Sequence, residues 1–331
     1  MQKEKIENMI GKIYCEDCLE TMKRIDDKSI NLIIADFPYF EVKGDFDFIW
    51  KDFDEFLEWV EVCAKEFKRI LADNGSLYVY GDAKKIAYKQ IIFDKYFNLE
   101  NNLVWYKPDC MAKKGIGEFR SFAPSTERIL FYSNEIVNIE GICVNNARDY
   151  IRNEIIRAKG KIIFKDVNKA LGTATNGGGV ASATLSLDKT VPTMMTKEHY
   201  NLLRIWLNSS KEYEYLRKEY EDLRRPFNNT KYEDVLSFNQ DIFLYNKYNH
   251  PTIKPPKLSA ELIKISSKEN DLVYIPFGGS GTELEQCHLL NRRYIGSELE
   301  KKYCDIIEDR IKNAKGEVGL FSNELIQRSL F

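Results

Sequence analysis

The chain is poor in the residues that build a metal centre. It has three histidines in 331 residues, so a tetrahedral site has few imidazoles to draw on. Its seven cysteines are an odd number at scattered positions, which argues for reduced thiols and against a disulfide framework. Cys15 and Cys18 form a lone C-x-x-C with no second pair at zinc-ligand spacing, and no metal is expected. No apolar run approaches the roughly 20 residues of a membrane helix. Met1-Gln2-Lys3-Glu4-Lys5 lacks the apolar core of a secretion signal. The expectation is a cytoplasmic protein with no membrane partner. Net charge is also small, −2, and argues neither for nor against a nucleic-acid partner. Two phosphate-binding signatures are missing as well. No lysine precedes Thr282 where G-K-[ST] needs one, and Leu284 stands where G-x-G-x-x-G wants its last glycine.

What remains has the composition of an ordinary globular protein, 44% hydrophobic and 30% charged, long enough for one large core and a smaller appended domain. Strand and helix signals alternate. Leu32–Ala35 is an apolar strand, and Phe53, Phe56, Leu57, Val60, Ala64, Phe67, Ile70 and Leu71 recur at helical spacing. Ala72-Asp73-Asn74-Gly75 reads as a turn before the strand Ser76–Tyr80. A helix over about Ala83–Lys95 and strands around Leu103–Tyr106 and Arg128–Tyr132 follow. From about residue 134 to 246 the rhythm breaks. Arg152, Arg157, Lys159, Lys161, Lys165 and Lys169 outnumber Glu154 and Asp166, a mild signal for phosphate binding that a solvated face would share. A glycine-rich stretch, Gly172–Gly179, reads as a mobile loop, and the charged run Ser210–Tyr220 as a helix. The alternation then returns: helix Leu258–Ser267, strand Leu272–Ile275, helix Thr282–Leu290, strand Arg293–Gly296 and helix Lys301–Lys312. Repeated strand–helix–strand units predict a doubly wound, Rossmann-like α/β sheet assembled from two separated segments.

Two motifs carry chemistry. Ile275-Pro276-Phe277-Gly278-Gly279-Ser280-Gly281-Thr282 joins a strand to a helix, and its small residues let a ligand approach the backbone. One strand later Ile295-Gly296-Ser297-Glu298 ends in an acid that can hold two ribose hydroxyls. Together they suggest a nucleoside-containing cofactor without a pyrophosphate, a description that S-adenosylmethionine fits. The other motif, Asp36-Phe37-Pro38-Tyr39, follows the apolar strand Ile30–Ile34. A carboxylate and a backbone carbonyl there can accept the two N–H bonds of an exocyclic amino group, exposing its nitrogen lone pair. Pro38 restricts the turn, and Tyr39 offers a face for an extruded base. Each motif alone also fits a plain turn.

In combination and order they resemble the β-class amino methyltransferases of DNA, where a D-P-P-Y motif precedes F-x-G-S-G-T. Further matches keep the family's order: Asp17-Cys18-Leu19-Glu20, Trp105-Tyr106-Lys107-Pro108, Glu127-Arg128-Ile129-Leu130 and Asn249-His250-Pro251-Thr252-Ile253-Lys254-Pro255. The resemblance covers about residues 11–135 and 247–313. It implies a class I methyltransferase fold with permuted motif order: a catalytic part at 1–135, an inserted target-recognition domain at 136–246, a cofactor-binding part at 247–315 and a tail at 316–331. It also implies roles. Asp17 and Cys18 would flank the cofactor adenine, Glu298 would bind the ribose, and Thr252 and Lys254 would lie near the methionine carboxylate. Phe277, Gly279, Ser280, Gly281 and Thr282 would form the cofactor turn, with Asp36 serving both cofactor and target. Asp36 and the Phe37 carbonyl would bind the target amino group, with Pro38 and Tyr39 completing the catalytic motif. Two departures stand out. Phe37 replaces the first proline of D-P-P-Y, and Ile275 replaces an aspartate before P-F.

The implied activity is site-specific transfer of methyl from S-adenosylmethionine to adenine N6 in double-stranded DNA. No Pro-Cys pair is present, which agrees with direct transfer, since methylation at cytosine C5 needs a cysteine nucleophile. Alternatives are cytosine N4 methylation, a binding protein that has lost catalysis, and an RNA substrate. The resemblance also allows for a homodimer and for a cognate restriction endonuclease acting separately.

Overall fold

The computed structural model describes residues 5–40, 49–109, 122, 124–134, 139–176, 178–188, 193–209, 212–213, 225–240, 244, 247–248 and 253–314. The chain divides into two units, Met1–Ile136 with Arg225–Phe331, and Val137–Arg224. The first holds strands β1 (Lys12–Cys15), β2 (Ile30–Ala35), β3 (Leu71–Gly81), β4 (Asn98–Tyr106), β5 (Thr126–Ser133), β6 (Val235–Ser237), β7 (Leu272–Ile275) and β8 (Arg293–Glu298). Helices α1 (Ile6–Met9), α2 (Cys18–Met22), α3 (Phe53–Ile70) and α4 (Ile86–Phe93) precede the second unit. That unit holds α5 (Ile139–Lys159), α6 (Phe164–Ala170), α7 (Val180–Leu185) and α8 (Lys197–Leu207). Then come α9 (Pro256–Ser266), α10 (Thr282–Leu289) and α11 (Lys301–Asn313).

The strands form one mixed sheet in the order β1-β8-β7-β2-β3-β5-β4-β6. The run β1-β8-β7-β2-β3 is parallel, β5 is antiparallel to both β3 and β4, and β6 is parallel to β4. Parallel strands covered on both faces read as near-continuous apolar runs, as Ile30–Ala35 and Leu272–Ile275 do. Successive side chains of β2 alternate between two cores. Ile33 and Ala35 join Leu77, Val79 and Tyr274 on one face, where α1–α4 add Met9, Met22, Phe56, Val60, Phe67 and Phe93. Leu32 and Ile34 join Tyr78, Tyr80 and Val273 on the other, where α9–α11 add Leu258, Leu262, Leu284 and Ile307. The doubly wound architecture is therefore as expected.

Some local expectations are corrected. Ala72-Asp73-Asn74-Gly75 is not a turn between elements but lies inside β3, as an irregularity where the pairing jumps from Ile30↔Leu71 to Leu32↔Ser76. Asn134 makes this possible: its Nδ2 donates to the Leu71 and Ala72 carbonyls at 2.8 and 3.0 Å, and its backbone N–H to the Gly75 carbonyl at 3.2 Å. The displaced backbone groups are satisfied without leaving the sheet. β6 lies within the stretch 136–246, yet it is hydrogen-bonded to β4 in the main sheet. The charged run Ser210–Tyr220 lies almost wholly outside the described residues, as do Thr252 and the tail.

The second unit has its own core of Ile151, Ile155, Val167, Leu171, Ala181, Leu185, Tyr200 and Leu203. Half of its basic stretch is engaged locally. Arg152 donates to the Leu185 carbonyl at 2.5 Å, Arg157 pairs with Glu154 at 2.7 Å, and Lys159 sits over the Trp206 ring at 4.6 Å. Lys161, Lys165 and Lys169 are exposed. The glycine-rich stretch is tied down at its end by buried Asn168, which donates to the Gly178 carbonyl and accepts from Ala181 N–H.

Candidate active site

After β2 the chain passes to β3 on one side, and after β7 to β8 on the other, while β2 and β7 are themselves neighbours. A crevice opens outside the carboxyl ends of such strands. It is here a cleft of about 240 Å³ lined by Glu16, Asp17 and Cys18 after β1, Asp36–Tyr39 after β2, Pro276, Phe277 and Gly279 after β7, and Glu298 ending β8. Ile49, Trp50, Trp59, Leu299 and Tyr303 complete it. Residues separated by more than two hundred positions thus share one wall.

Asp36 belongs to this lining. Lys254 Nζ is 2.6 Å from its Oδ2, 3.2 Å from the Tyr39 hydroxyl and 3.7 Å from Glu127 Oε2. The Lys254 ammonium, only 3% exposed, is paired with Asp36 and Glu127. The Tyr39 hydroxyl lies 3.1 Å from Asp36 Oδ1 and 2.8 Å from Glu127 Oε2, with one proton to donate. Lys107 Nζ closes the network at 2.5 Å from Glu127 Oε1. Burial pushes the Asp36 carboxyl up, against the pull of Lys254. Burial would push Glu127 up too, but Lys254 and Lys107 together hold it below the usual carboxylate range. Burial and both acids keep the Tyr39 phenol protonated. Buried Lys89 donates to the Pro38 and Tyr80 carbonyls at 3.3 Å each, steadying the turn from behind.

Phe37, 1% exposed, holds the middle of the cleft floor. Its ring centroid is 4.7 Å from Phe277, 5.7 Å from Trp59, 5.9 Å from Phe93 and 6.0 Å from Phe67. The side chain that departs from D-P-P-Y is therefore the hub of an aromatic cluster joining the two halves of the site. Ile275, the other departure, is buried in the second core and is not part of the cleft lining.

Glu298, also in the lining, accepts from Gly279 N–H at 2.7 Å and Glu300 N–H at 2.8 Å. Burial pushes its carboxyl up despite these donors. Gly279 has φ +50° and Gly281 φ +83°, the left-handed region that favours glycine. Ser280, Gly281 and Thr282 are placed behind the lining. Arg310 of α11, almost fully buried, donates to the Ser280 carbonyl at 2.8 Å and to Thr282 Oγ1 at 3.2 Å. It also pairs with Glu285 at 2.5 Å. The turn is thus braced from below while Gly279 meets the cleft. Asp17 caps α2 by accepting from Leu19 N–H at 2.7 Å, and Glu16 accepts from Thr21 at 2.7 Å and pairs with Arg24.

Sequence reading missed Glu127 and Lys107 as site residues, along with Lys89, Glu16, Trp50, Trp59 and Tyr303. One signal was available for the first two: each stands at the edge of an apolar strand, and Glu127 is the register partner of Trp105, next to Lys107. Among the described residues no group of three or more His, Cys, Asp or Glu could hold a metal.

The profile of the DNA methylase (N6_N4_Mtase) family matches residues 30–309. Among curated relatives, the type II methyltransferase M.HinfI of Haemophilus influenzae is 27% identical, over 98% of this chain and 76% of its own. The DNA adenine methyltransferase YhdJ of Escherichia coli K12 is 24% identical, over 87% of this chain and 78% of its own. Among solved structures, the M1.HpyAVI–SAM complex superposes with a TM-score of 0.52 at 19% identity, covering 91% of this chain and 98% of that one. PvuII DNA methyltransferase (cytosine-N4-specific) superposes at 0.51 with 15% identity, covering 95% and 89%. A family match over most of the length, on a sheet whose strand ends carry the family's motifs, makes this chain a member of the N6/N4 DNA methylase family.

Proposed function

We propose that the chain transfers a methyl group from S-adenosylmethionine to the N6 amino group of adenine in duplex DNA. One observation carries this reading: a single cleft is lined by Asp36, by Glu298 and by the packed rings of Phe37 and Phe277. The cofactor fits the donor set. Glu298 offers carboxylate oxygens to a ribose diol, Gly279 presents a surface without Cβ, and Asp17–Cys18 border the place of the adenine ring. Bound there, S-adenosylmethionine would supply an electrophilic methyl on a sulfonium.

The chain's own residues prepare the acceptor. Asp36 Oδ1 and the Phe37 carbonyl accept the two N–H bonds of an extruded base, so the nitrogen lone pair is withdrawn from the ring and directed at the methyl. Tyr39 stacks on the base. Transfer would be an in-line displacement: the N–C bond would form as the C–S bond breaks, the sulfur leaving as a neutral thioether and the amino nitrogen passing its extra proton to solvent. Asp36 heading the motif favours adenine over cytosine, as does the name of the relative YhdJ. The unit Val137–Arg224 makes the sequence-specific contacts in this reading, with Lys161, Lys165 and Lys169 on phosphates. A cognate restriction endonuclease is then a separate protein.

The test is methyl transfer from tritium-labelled S-adenosylmethionine to mixed-sequence duplex DNA, followed by digestion to nucleosides. Label in N6-methyldeoxyadenosine is expected. Label in N4-methyldeoxycytidine would replace adenine by cytosine, and label accepted only by RNA would overturn the DNA reading.

A further inference from the structure

Asp36 has two oxygens and three claimants. Lys254 holds Oδ2 at 2.6 Å, so an incoming amino group must use Oδ1. The Tyr39 hydroxyl already lies 3.1 Å from that oxygen. An oxygen that accepts the phenol proton is a weaker acceptor for the amine, and the phenol crowds its approach. Glu127 resolves the competition. Its Oε2 lies 2.8 Å from the same hydroxyl, nearer than Asp36 does. Its Oε1 is occupied by Lys107 at 2.5 Å, which leaves Oε2 to face Tyr39 and Lys254. With side chains 15% and 12% exposed, Glu127 and Lys107 are shielded from the water that would otherwise take over either bond.

We propose that Glu127 is a positioning residue for methyl transfer: it draws the Tyr39 hydroxyl proton away from Asp36, leaving Asp36 Oδ1 free to accept the target amino group. Lys107 fixes the Glu127 carboxylate, and Lys254 bridges the two acids. This rests on the reading in which Asp36 holds the amine. The low titration range of Glu127, set by Lys254 and Lys107 against its burial, keeps it an acceptor at neutral pH.

The experiment is a cycle of Glu127→Gln and Tyr39→Phe on the full chain, with kcat for methyl transfer to duplex DNA and cofactor affinity read separately. Affinity is read from quenching of the intrinsic fluorescence, since Trp50 and Trp59 line the cleft. In Glu127→Gln the side-chain amide has one acceptor oxygen for two donors, so the phenol turns to Asp36. The expected loss in kcat is about 10-fold or more, the worth of one hydrogen bond to a charged group, with cofactor affinity within about 2-fold of wild type. In the Tyr39→Phe background the competing proton is gone, and Glu127→Gln costs less than about 3-fold. Equal losses in both backgrounds, or a loss confined to cofactor affinity, would overturn the proposal. Should Glu127→Gln fail to fold, Glu127→Asp replaces it, because the shorter arm withdraws the acceptor from Tyr39 while keeping the charge. Asp36→Asn in the same assay separates the two layers. Full transfer by Asp36→Asn defeats the reading beneath; lost transfer with additive Glu127 effects defeats this inference alone.

Discussion

Lys254→Met is a severe local perturbation, because a single ammonium serves two partly buried acids. Methionine keeps the bulk of the stem and deletes the charge, leaving Asp36 without its 2.6 Å partner and Glu127 without its 3.7 Å one. Removing one member of a buried ion pair costs about 3–5 kcal/mol. Two features put this site at the low end. The Asp36 side chain is 20% exposed and can recruit water, and Glu127 keeps Lys107 at 2.5 Å. A loss of about 3 kcal/mol at pH 8 follows, or a Tm lower by about 6–12 °C at roughly 2–4 °C per kcal/mol for a domain of this size. The pH dependence is diagnostic. Without the cation, the folded-state pKa of Asp36 rises further above its unfolded value, since burial and Glu127 then meet the pull of Lys89 without that of Lys254. A carboxyl with a raised folded pKa destabilises the fold when ionised, and the penalty fades as pH falls through that pKa. The gap between wild type and variant should be widest at pH 8 and shrink by pH 5. Thermal melts followed by circular dichroism across this range measure it. A gap below about 1 °C at pH 8, or one indifferent to pH, would refute the reasoning.

Three other outcomes follow from the same geometry. If Glu298 holds the ribose diol as proposed, Glu298→Gln should weaken cofactor binding about 10–100-fold, read by fluorescence quenching; an affinity within about 2-fold of wild type would show that Glu298 does not hold the ribose. Transfer needs Asp36 ionised, and its pKa is raised, by burial first, with Glu127 adding to it while Lys254 and Lys89 oppose. The acid limb of kcat/KM, which reports the free enzyme, should therefore lie above the ordinary aspartate range, activity falling as pH drops through it, whereas a limb at or below that range would contradict the burial argument. Phe37→Ala opens a hole among Phe67, Phe93, Trp59 and Phe277 and should cost about 3–5 kcal/mol by urea titration; a cost under about 1 kcal/mol would mean the cluster is loosely packed.

The sequence spoke most clearly where local pattern and tertiary burial agree. β2 and β7 were legible because buried parallel strands are apolar throughout, and α3 because Phe56, Val60, Ala64 and Phe67 repeat on one face. The four-residue β1, Lys12-Ile13-Tyr14-Cys15, and the three-residue β6 carry too little periodicity to stand out. Ala72–Gly75 misled because turn-forming residues served a bulge whose partner, Asn134, lies some sixty positions away. The site divides the same way. Asp36 and Glu298 were readable because each ends an apolar strand inside a short motif. The partnership of Asp36 with Lys254 spans 218 positions, and Glu127 looked like the polar start of a strand. Only the sheet order brings these charges together. Ile275, which departs from the family's aspartate before P-F, has its side chain in the second core.

The central claim is that Asp36 holds an adenine amino group for methyl transfer. Its most direct test is nucleoside analysis of duplex DNA incubated with S-adenosylmethionine and either wild type or Asp36→Ala. N6-methyldeoxyadenosine is expected with wild type and none with the variant. Equal methylation by both proteins, or methyl found only on cytosine N4, would contradict it.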